Sequence, residues 1–176
     1  MKIKKADMND LKEILNIYSY ARRYMKEHKN PTQWGDDRPS ESVIKNDITN
    51  GNSFVVIDND VISGVFSFII GEDETYKKIY DGKWLNDKAY GTVHRLAGNG
   101  KSKGIFDFSM GYCEKLIDNI RIDTHKNNKI MQYLLSKRGY KKCGIILWKM
   151  DQKGLHTRKR LVRKNLCKFY LLLKNI

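Results

Sequence analysis

The sequence predicts a single mixed α/β domain, one central sheet of mixed strand direction with helices on both faces. Short β-branched and aromatic runs alternate with segments whose apolar residues recur every three or four positions. Read in order, they give β-α-α-β-β-β-α-β-α-β, an alternation that buries a sheet beneath helices. A length of 176 residues suits one domain. A hydrophobic fraction of 40% with 31% charged residues supplies a core and excludes a generic disordered chain. No run reaches the roughly 18 apolar residues of a membrane span. The N-terminal MKIKKADMND has no apolar stretch behind its lysines, so it does not read as a secretory signal.

Residues 2–6 read as the first strand. Asp7 caps the next helix, with Asp10 three positions on, near the positive helix end. Leu11, Ile14, Leu15, Tyr18, Ala21 and Met25 follow at helical spacing. That helix stops at Asn30-Pro31, because a residue before proline is pushed out of the α region. TQWGDDRPS is a loop. Ser40 caps a second helix that turns Ile44 and Ile48 inward and ends at Asn50-Gly51. SFVVID and VISGVFSFII flank the two-residue turn Asn59-Asp60 and make a hairpin. Residues 71–90, polar and aromatic, form a loop with a short helical or strand piece. YGTVHRLAG is the fourth strand and GNGKSKG a turn. GIFDFSMGYCEKLID is a helix with Ile105, Phe108, Cys113 and Leu116 on its inner side. NIRIDTH is a strand, NNKIMQYLLSKRG a helix closed by Gly139, and YKKCGIILW a strand.

The three cysteines (Cys113, Cys143, Cys167) are odd in number and form no CxxC pair. That argues against structural zinc or any other metal site, and against a disulfide framework. A reducing cytoplasm fits. The net charge of +14 invites a nucleic-acid reading, but +8 of it falls in residues 149–176.

Residues 92–108, TVHRLAGNGKSKGIFDF, carry the first chemical signal. A strand runs into a loop with Gly98, Gly100, Gly104, Lys101 and Lys103, and the loop opens a helix. Glycines allow close approach of backbone N–H groups to an anion, and the helix end adds orphan donors and partial positive charge. The segment reads as a phosphate or diphosphate cradle, or as a basic surface turn that caps a helix. It is neither a P-loop nor a GxGxxG fingerprint. The second signal is RIDTHKNNKIMQYLLSKRGYKKCGI: strand, polar loop, helix, glycine stop, strand.

Together the two segments resemble the GNAT N-acetyltransferase superfamily, whose members transfer an acetyl group from acetyl-CoA to an amine. Lys101-Ser102-Lys103-Gly104-Ile105-Phe106 matches the family's [QR]-x-x-G-x-[GA] loop, and Asn128, Met131, Leu135, Lys137, Gly139 and Tyr140 match its N-x-x-A-x-x-x-Y-x-K-x-G-F pattern. Gln33-Trp34, Tyr90, His94-Arg95-Leu96-Ala97 and Asp123-Thr124-His125 with Asn128 look closest to a bacterial branch. The resemblance spans residues 1–148. It implies the GNAT fold, with a mostly antiparallel twisted sheet whose fourth and fifth strands splay.

By resemblance, acetyl-CoA is the co-substrate. Leu96 and Ala97 lie along its pantetheine arm, and Lys101, Ser102, Lys103, Gly104 and Ile105 hold its diphosphate. Asn128 either bonds the pantetheine or caps its helix. Lys101 keeps a cationic role in place of Gln or Arg, whereas Phe106 replaces a small residue and crowds the cofactor. Leu135 replaces the tyrosine that protonates the leaving thiolate in many members, and Tyr133 points elsewhere on the helix.

His94 is the first candidate for base or proton relay, since an imidazole titrates near neutrality; the alternative is a hydrogen-bonded structural histidine. Asp123 and His125 alternate on the fifth strand and share a face, either as an oriented catalytic pair or as polar residues fixing the strand end. Trp34, Tyr76, Tyr80, Trp84 and Tyr90 line an acceptor pocket or pack loops over the core. Asp36, Asp37, Glu72, Asp73 and Glu74 attract a cationic amine or form a solvated face.

The tail, residues 149–176, differs from the rest. Val162, Leu166, Phe169 and Leu173 sit at helical spacing among Arg158, Lys159, Arg160, Arg163 and Lys164. That reads as a basic amphipathic helix for nucleic acid, anionic membrane or a partner, or as a packed or frayed terminal helix. A third reading is a frameshift product. Members of the resembled branch tend to finish in a strand like EDGSERIAYQK, and residues 148–159, back-translated and shifted by one nucleotide, can read MEDGSERIAYQK. The last strand would then be lost, with its edge left open or patched by the tail.

The function expected is acetyl transfer to a primary amine of a small molecule, amino acid or peptide. The alternative is a non-catalytic acyl-CoA-binding or basic nucleic-acid-binding module. The partners expected are that amine and, as the assembly considered, a homodimer. A membrane is not among them, and nucleic acid is disfavoured.

Overall fold

Within residues 1–148 the β-branched and aromatic runs become strands of one sheet, and the segments with a 3.6-residue period become helices on its two faces. The computed structural model describes residues 1–148 and the strand at 167–174. The strands are β1 (Lys2–Lys5), β2 (Ser53–Asp58), β3 (Val61–Ile70), β4 (Gly91–Gly98), β5 (Ile120–His125), β6 (Tyr140–Trp148) and β7 (Cys167–Lys174). They form a seven-stranded sheet in the order β1-β2-β3-β4-β5-β7-β6. All neighbours are antiparallel except β4 and β5.

The helices are α1 (Leu11–Glu27), α2 (Glu41–Thr49), α3 (Ile105–Leu116) and α4 (Lys129–Lys137). Their starts follow local chemistry. Asp7 accepts the Asn9 N–H at 2.7 Å while Asp10 accepts the Asp7 N–H at 3.0 Å, a reciprocal cap on the short 3-10 turn that leads into α1. Ser40 caps α2 by accepting the Val43 N–H. At the hairpin turn Asn59 and Asp60 both take left-handed φ, +48° and +60°, as a type I′ turn requires.

Alternation sorts the core into two layers. Val55 and Val65 pack with Ile14, Ile17, Tyr18, Ile44 and Ile48 beneath α1 and α2. Phe54, Val56, Phe66, Phe68 and Val93 pack with Met110 and Leu135 beneath α3 and α4. On β4 the pattern breaks. Val93 and Ala97 are four residues apart and should share a face, yet they lie in opposite layers. Ser67 pairs with His94 and Val65 with Ala97, so β4 carries one extra residue, a bulge that reverses the alternation.

Two expectations are corrected. On α3 the inward residues are Ile105, Phe106, Ser109, Met110 and Cys113, while Phe108 and Leu116 are 38% and 50% exposed. Positions 105, 106, 109, 110 and 113 form one stripe at helical spacing, and that stripe rather than the one through 108 and 116 meets the sheet. In the tail, Phe169 and Leu173 lie in a strand rather than a helix. β7 fits between β5 and β6, antiparallel to both, with Asp123 opposite Leu171 and Ile145 opposite Tyr170. The facing edges of β5 and β6 each carry backbone donors and acceptors, and one strand satisfies both rows. Val162, Leu166 and residues 149–159, the stretch on which the frameshift reading rests, lie outside the described residues.

Candidate functional site

The site begins where β4 and β5 part. Their parallel ladder covers only Gly91, Thr92 and Val93 against Ile120, Arg121 and Ile122. Beyond it β4 bulges at Arg95, a non-glycine residue at φ +54°. Distant groups hold this left-handed backbone in place. The Arg95 guanidinium meets Asp47 of α2, with Nε 2.9 Å and Nη2 2.6 Å from Oδ2. The Arg95 carbonyl accepts the Tyr18 hydroxyl of α1 at 3.1 Å. A residue in a sparsely populated region persists when its surroundings over-determine it, and here two helices do so.

Past the bulge, Leu96, Ala97 and Gly98 border a cleft of about 540 Å³ between the end of α1 and the starts of α3 and α4. Among the residues expected at the cofactor, Leu96, Ala97, Ser102, Ile105 and Asn128 line this cleft. Lys101, Lys103 and Gly104 belong to the same loop at its edge. The loop is already folded: Asn99 Oδ1 accepts the N–H groups of Lys101 and Ser102 at 2.9 and 3.3 Å, and Ser102 Oγ donates to Ser63 Oγ at 3.0 Å. Gly104 sits at φ +77° and opens α3, whose first amides have no acceptor within the helix. Phe106 also borders the cleft, but it is buried in the α3 core.

On the α1 side of the sheet, beside the bulge, lies a buried polar layer. His94 Nε2 donates to Asp73 Oδ2 at 2.7 Å. Tyr76 donates its hydroxyl to Asp123 Oδ1 at 2.5 Å, and its ring meets His94 edge-on at 5.7 Å. Burial alone would raise the Asp73 pKa. The His94 hydrogen bond and charge, with the Thr75 donors, outweigh it and hold the carboxyl at about 2. Burial pushes the Asp123 carboxyl up. Burial, followed by the Asp123 charge, raises Tyr76 well above the ordinary phenol value, so its hydroxyl stays a donor.

Asp123 and His125 share a face as expected, but they serve different neighbours. His125 Nδ1 accepts the Asn127 N–H at 3.2 Å, and burial lowers its pKa. Asn128 caps α4 by accepting the Met131 N–H at 3.0 Å. Leu135 is fully buried and Tyr133 is 65% exposed, so neither offers a phenol to the cleft. Of the aromatic set, Trp34 packs edge-on against Tyr18, and Tyr80 bridges to Ile145 through its backbone. Trp84 and Tyr90 sandwich Arg121, whose guanidinium carbon lies 3.8 and 3.6 Å from their ring centres. None of these four lines the cleft.

Sequence reasoning missed three groups that shape the site: Tyr18, Asp47 and the pairing of Asp73 with His94. One signal was available. Asp47 lies between Ile44 and Ile48 on the buried face of α2, and a carboxylate on an apolar face requires a partner.

The Asp73 shift makes a stability prediction. Its folded pKa of about 2 lies below the ordinary 3.8, so the pair stabilises the fold above about pH 4 and loses that contribution as pH falls towards 2. Asp73→Asn removes this dependence. Urea denaturation at pH 5 and pH 2.5 should show wild type losing about 1–2 kcal/mol more than the variant. Equal losses contradict the pairing.

No protein-family profile matches the chain, and no curated protein matches it. Solved structures do. An acetyltransferase of the GNAT family from Streptococcus agalactiae is 28% identical, with a TM-score of 0.75, over 99% of this chain and 96% of that one. The ribosomal-protein-alanine N-acetyltransferase of Brucella melitensis is 14% identical, with a TM-score of 0.62, over 100% of both chains. A GNAT superfamily phosphinothricin acetyltransferase from Sinorhizobium meliloti, solved with acetyl-CoA, is 13% identical, with a TM-score of 0.57, over 98% of this chain and 86% of that one. Strand order, splayed strands and neighbours agree: this chain has the fold of the GNAT acetyltransferases, the superfamily its sequence resembles.

Proposed function

We propose that this chain transfers the acetyl group of acetyl-CoA to a primary amine of a small molecule, amino acid or peptide. The observation that carries the reading is the cleft opened by the Arg95 bulge. Its volume of about 540 Å³ falls in the range of ligand pockets. Strand backbone past the bulge borders it and suits the amides of a pantetheine arm. The unpaired amides opening α3 suit a diphosphate, with Lys101 and Lys103 on the same loop. A structural neighbour was solved with acetyl-CoA, and another is named for acetylating an alanine of a ribosomal protein. Three cysteines without a CxxC pair suit a reducing cytoplasm.

Acetyl-CoA supplies an activated thioester. The chain's own groups do the rest. Asp73 and Asp123 make the polar layer acidic, which favours an incoming ammonium. His94, held by the ionised Asp73 carboxylate, takes the proton that leaves the amine neutral for attack. The Leu96 backbone N–H beyond the bulge donates to the developing oxyanion. Because Leu135 and Tyr133 offer no phenol, His94 returns its proton to the departing sulfur. Asp123, with Tyr76, and His125 fix the β5 side of the opening.

Thiol release from acetyl-CoA against a panel of amines and N-terminal peptides tests the proposal. Saturable release with at least one amine supports it, and absence of both release and acetyl-CoA binding overturns it. Leu135 at the family's tyrosine position favours the second reading, a non-catalytic acyl-CoA-binding module, which binding without release would establish.

Gly104→Val gives a sharper check. A β-branched residue at φ +77° is strained, so the amides opening α3 shift. Acetyl-CoA affinity should fall about tenfold, with Gly104→Ala losing less. Unchanged affinity in both variants contradicts the diphosphate role.

A further inference from the structure

One atom of an amide side chain at the cleft wall is left with nothing to bind, and a chain of hydrogen bonds fixes which atom that is. The Met131 N–H can only donate, so the Asn128 oxygen must face it, at 3.0 Å. The Asn128 Nδ2 then faces Gln33 and donates to Oε1 at 2.9 Å. The same Gln33 oxygen accepts Asn30 Nδ2 at 2.7 Å. Turning Asn30 over would set two acceptors against each other. Asn30 Oδ1 is thereby fixed as the free atom. Asn30 is 4% exposed, and its Oδ1 is buried without a hydrogen-bond partner. It also lines the cleft.

The backbone at Asn30 is equally fixed. α1 ends with Lys29 at φ +60° and the Asn30 N–H returning to the Met25 carbonyl at 2.9 Å, a Schellman-type closure. A buried carbonyl oxygen without a donor is costly, and a ligand N–H in the cleft would satisfy it. Asn128 Nδ2 has a second hydrogen beyond the one given to Gln33. One Gln33 oxygen thus holds, side by side, an acceptor on Asn30 and a donor on Asn128. That is the complement of an N–H and a C=O turned to the same side of an extended chain by two successive amides.

We propose that Asn30 is a cofactor-positioning residue: its Oδ1 accepts an amide N–H of the pantetheine arm, while Asn128 Nδ2 donates to an amide carbonyl of that arm. Gln33 sets both orientations, which gives the Gln33-Trp34 pair a physical role. The proposal rests on the acetyl-CoA reading above.

Calorimetric titration of wild type, Asn30→Ala and Gln33→Leu tests it. The two probes are acetyl-CoA and adenosine 3′,5′-bisphosphate, the nucleotide end without the arm. Asn30→Ala should bind acetyl-CoA about tenfold more weakly and the bisphosphate as wild type does. Gln33→Leu should show the same signature and carries the test should the alanine variant not fold. The KM for acetyl-CoA should rise with kcat little changed. Wild-type affinity of the variants for acetyl-CoA overturns the proposal alone, as does an equal loss for both probes. Failure of the wild type to bind acetyl-CoA overturns the transferase reading and this assignment together.

Discussion

Replacing His94 with glutamine is expected to lower kcat for acetyl transfer by about 10²–10³-fold, with acetyl-CoA affinity within about twofold of wild type. Glutamine keeps a donor for Asp73, 2.7 Å from the imidazole Nε2 in the native chain, but it has no basic ring nitrogen to take a proton. His94→Ala should lose as much activity and some stability besides, because the ring is buried against Tyr76. Asp73→Asn should fall between wild type and His94→Gln, since it leaves the imidazole in place but weakens the hydrogen bond that orients it. Steady-state kinetics across pH 6–9 reads all three. A His94→Gln variant with wild-type kcat removes the histidine from the mechanism.

Asp47→Ala carries the largest effect on the fold. Asp47 is buried and is the carboxylate partner of Arg95. Its removal strands a largely buried guanidinium next to a strained backbone. Breaking one side of such a pair costs about 3 kcal/mol or more. The bulge should relax with it, so acetyl transfer should fall beyond what the lost stability explains. Arg95→Ala should act in the same direction, and the double variant should cost little more than either single one. Urea denaturation of the four proteins measures this. A loss under about 1 kcal/mol for Asp47→Ala means the bulge does not depend on the pair.

Local signals were legible. The caps at Asp7, Ser40 and Asn128, the stop before Pro31 and the Asn59-Asp60 turn depend on residues a few positions apart, and the structure forms each of them. The turn at 98–104 that opens α3 was legible because its glycines and lysines lie close together in the chain. What depends on distance was not. The left-handed φ of Arg95 is imposed by Asp47 and Tyr18, which lie 48 and 77 positions away. Asp123 meets Tyr76 across 47 positions. The tail misled for a different reason. Phe169 and Leu173 are four apart, a spacing that keeps residues on one side of a helix and equally on one side of a strand. The consecutive Leu171, Leu172 and Leu173 are the discriminating signal, since a strand between two neighbours can be apolar on both faces. On α3 two apolar stripes compete, one through Phe108 and Leu116 and one through Phe106 and Met110, and it is the second that meets the sheet.

A crystal structure with acetyl-CoA soaked in tests the central claim most directly. The account predicts the diphosphate against the amides of 104–106, the pantetheine arm in the cleft between Leu96 and Asn30, and the thioester oxygen within hydrogen-bonding distance of the Leu96 N–H. Acetyl-CoA seated elsewhere on the chain, or a cleft that stays empty at saturating acetyl-CoA, contradicts it.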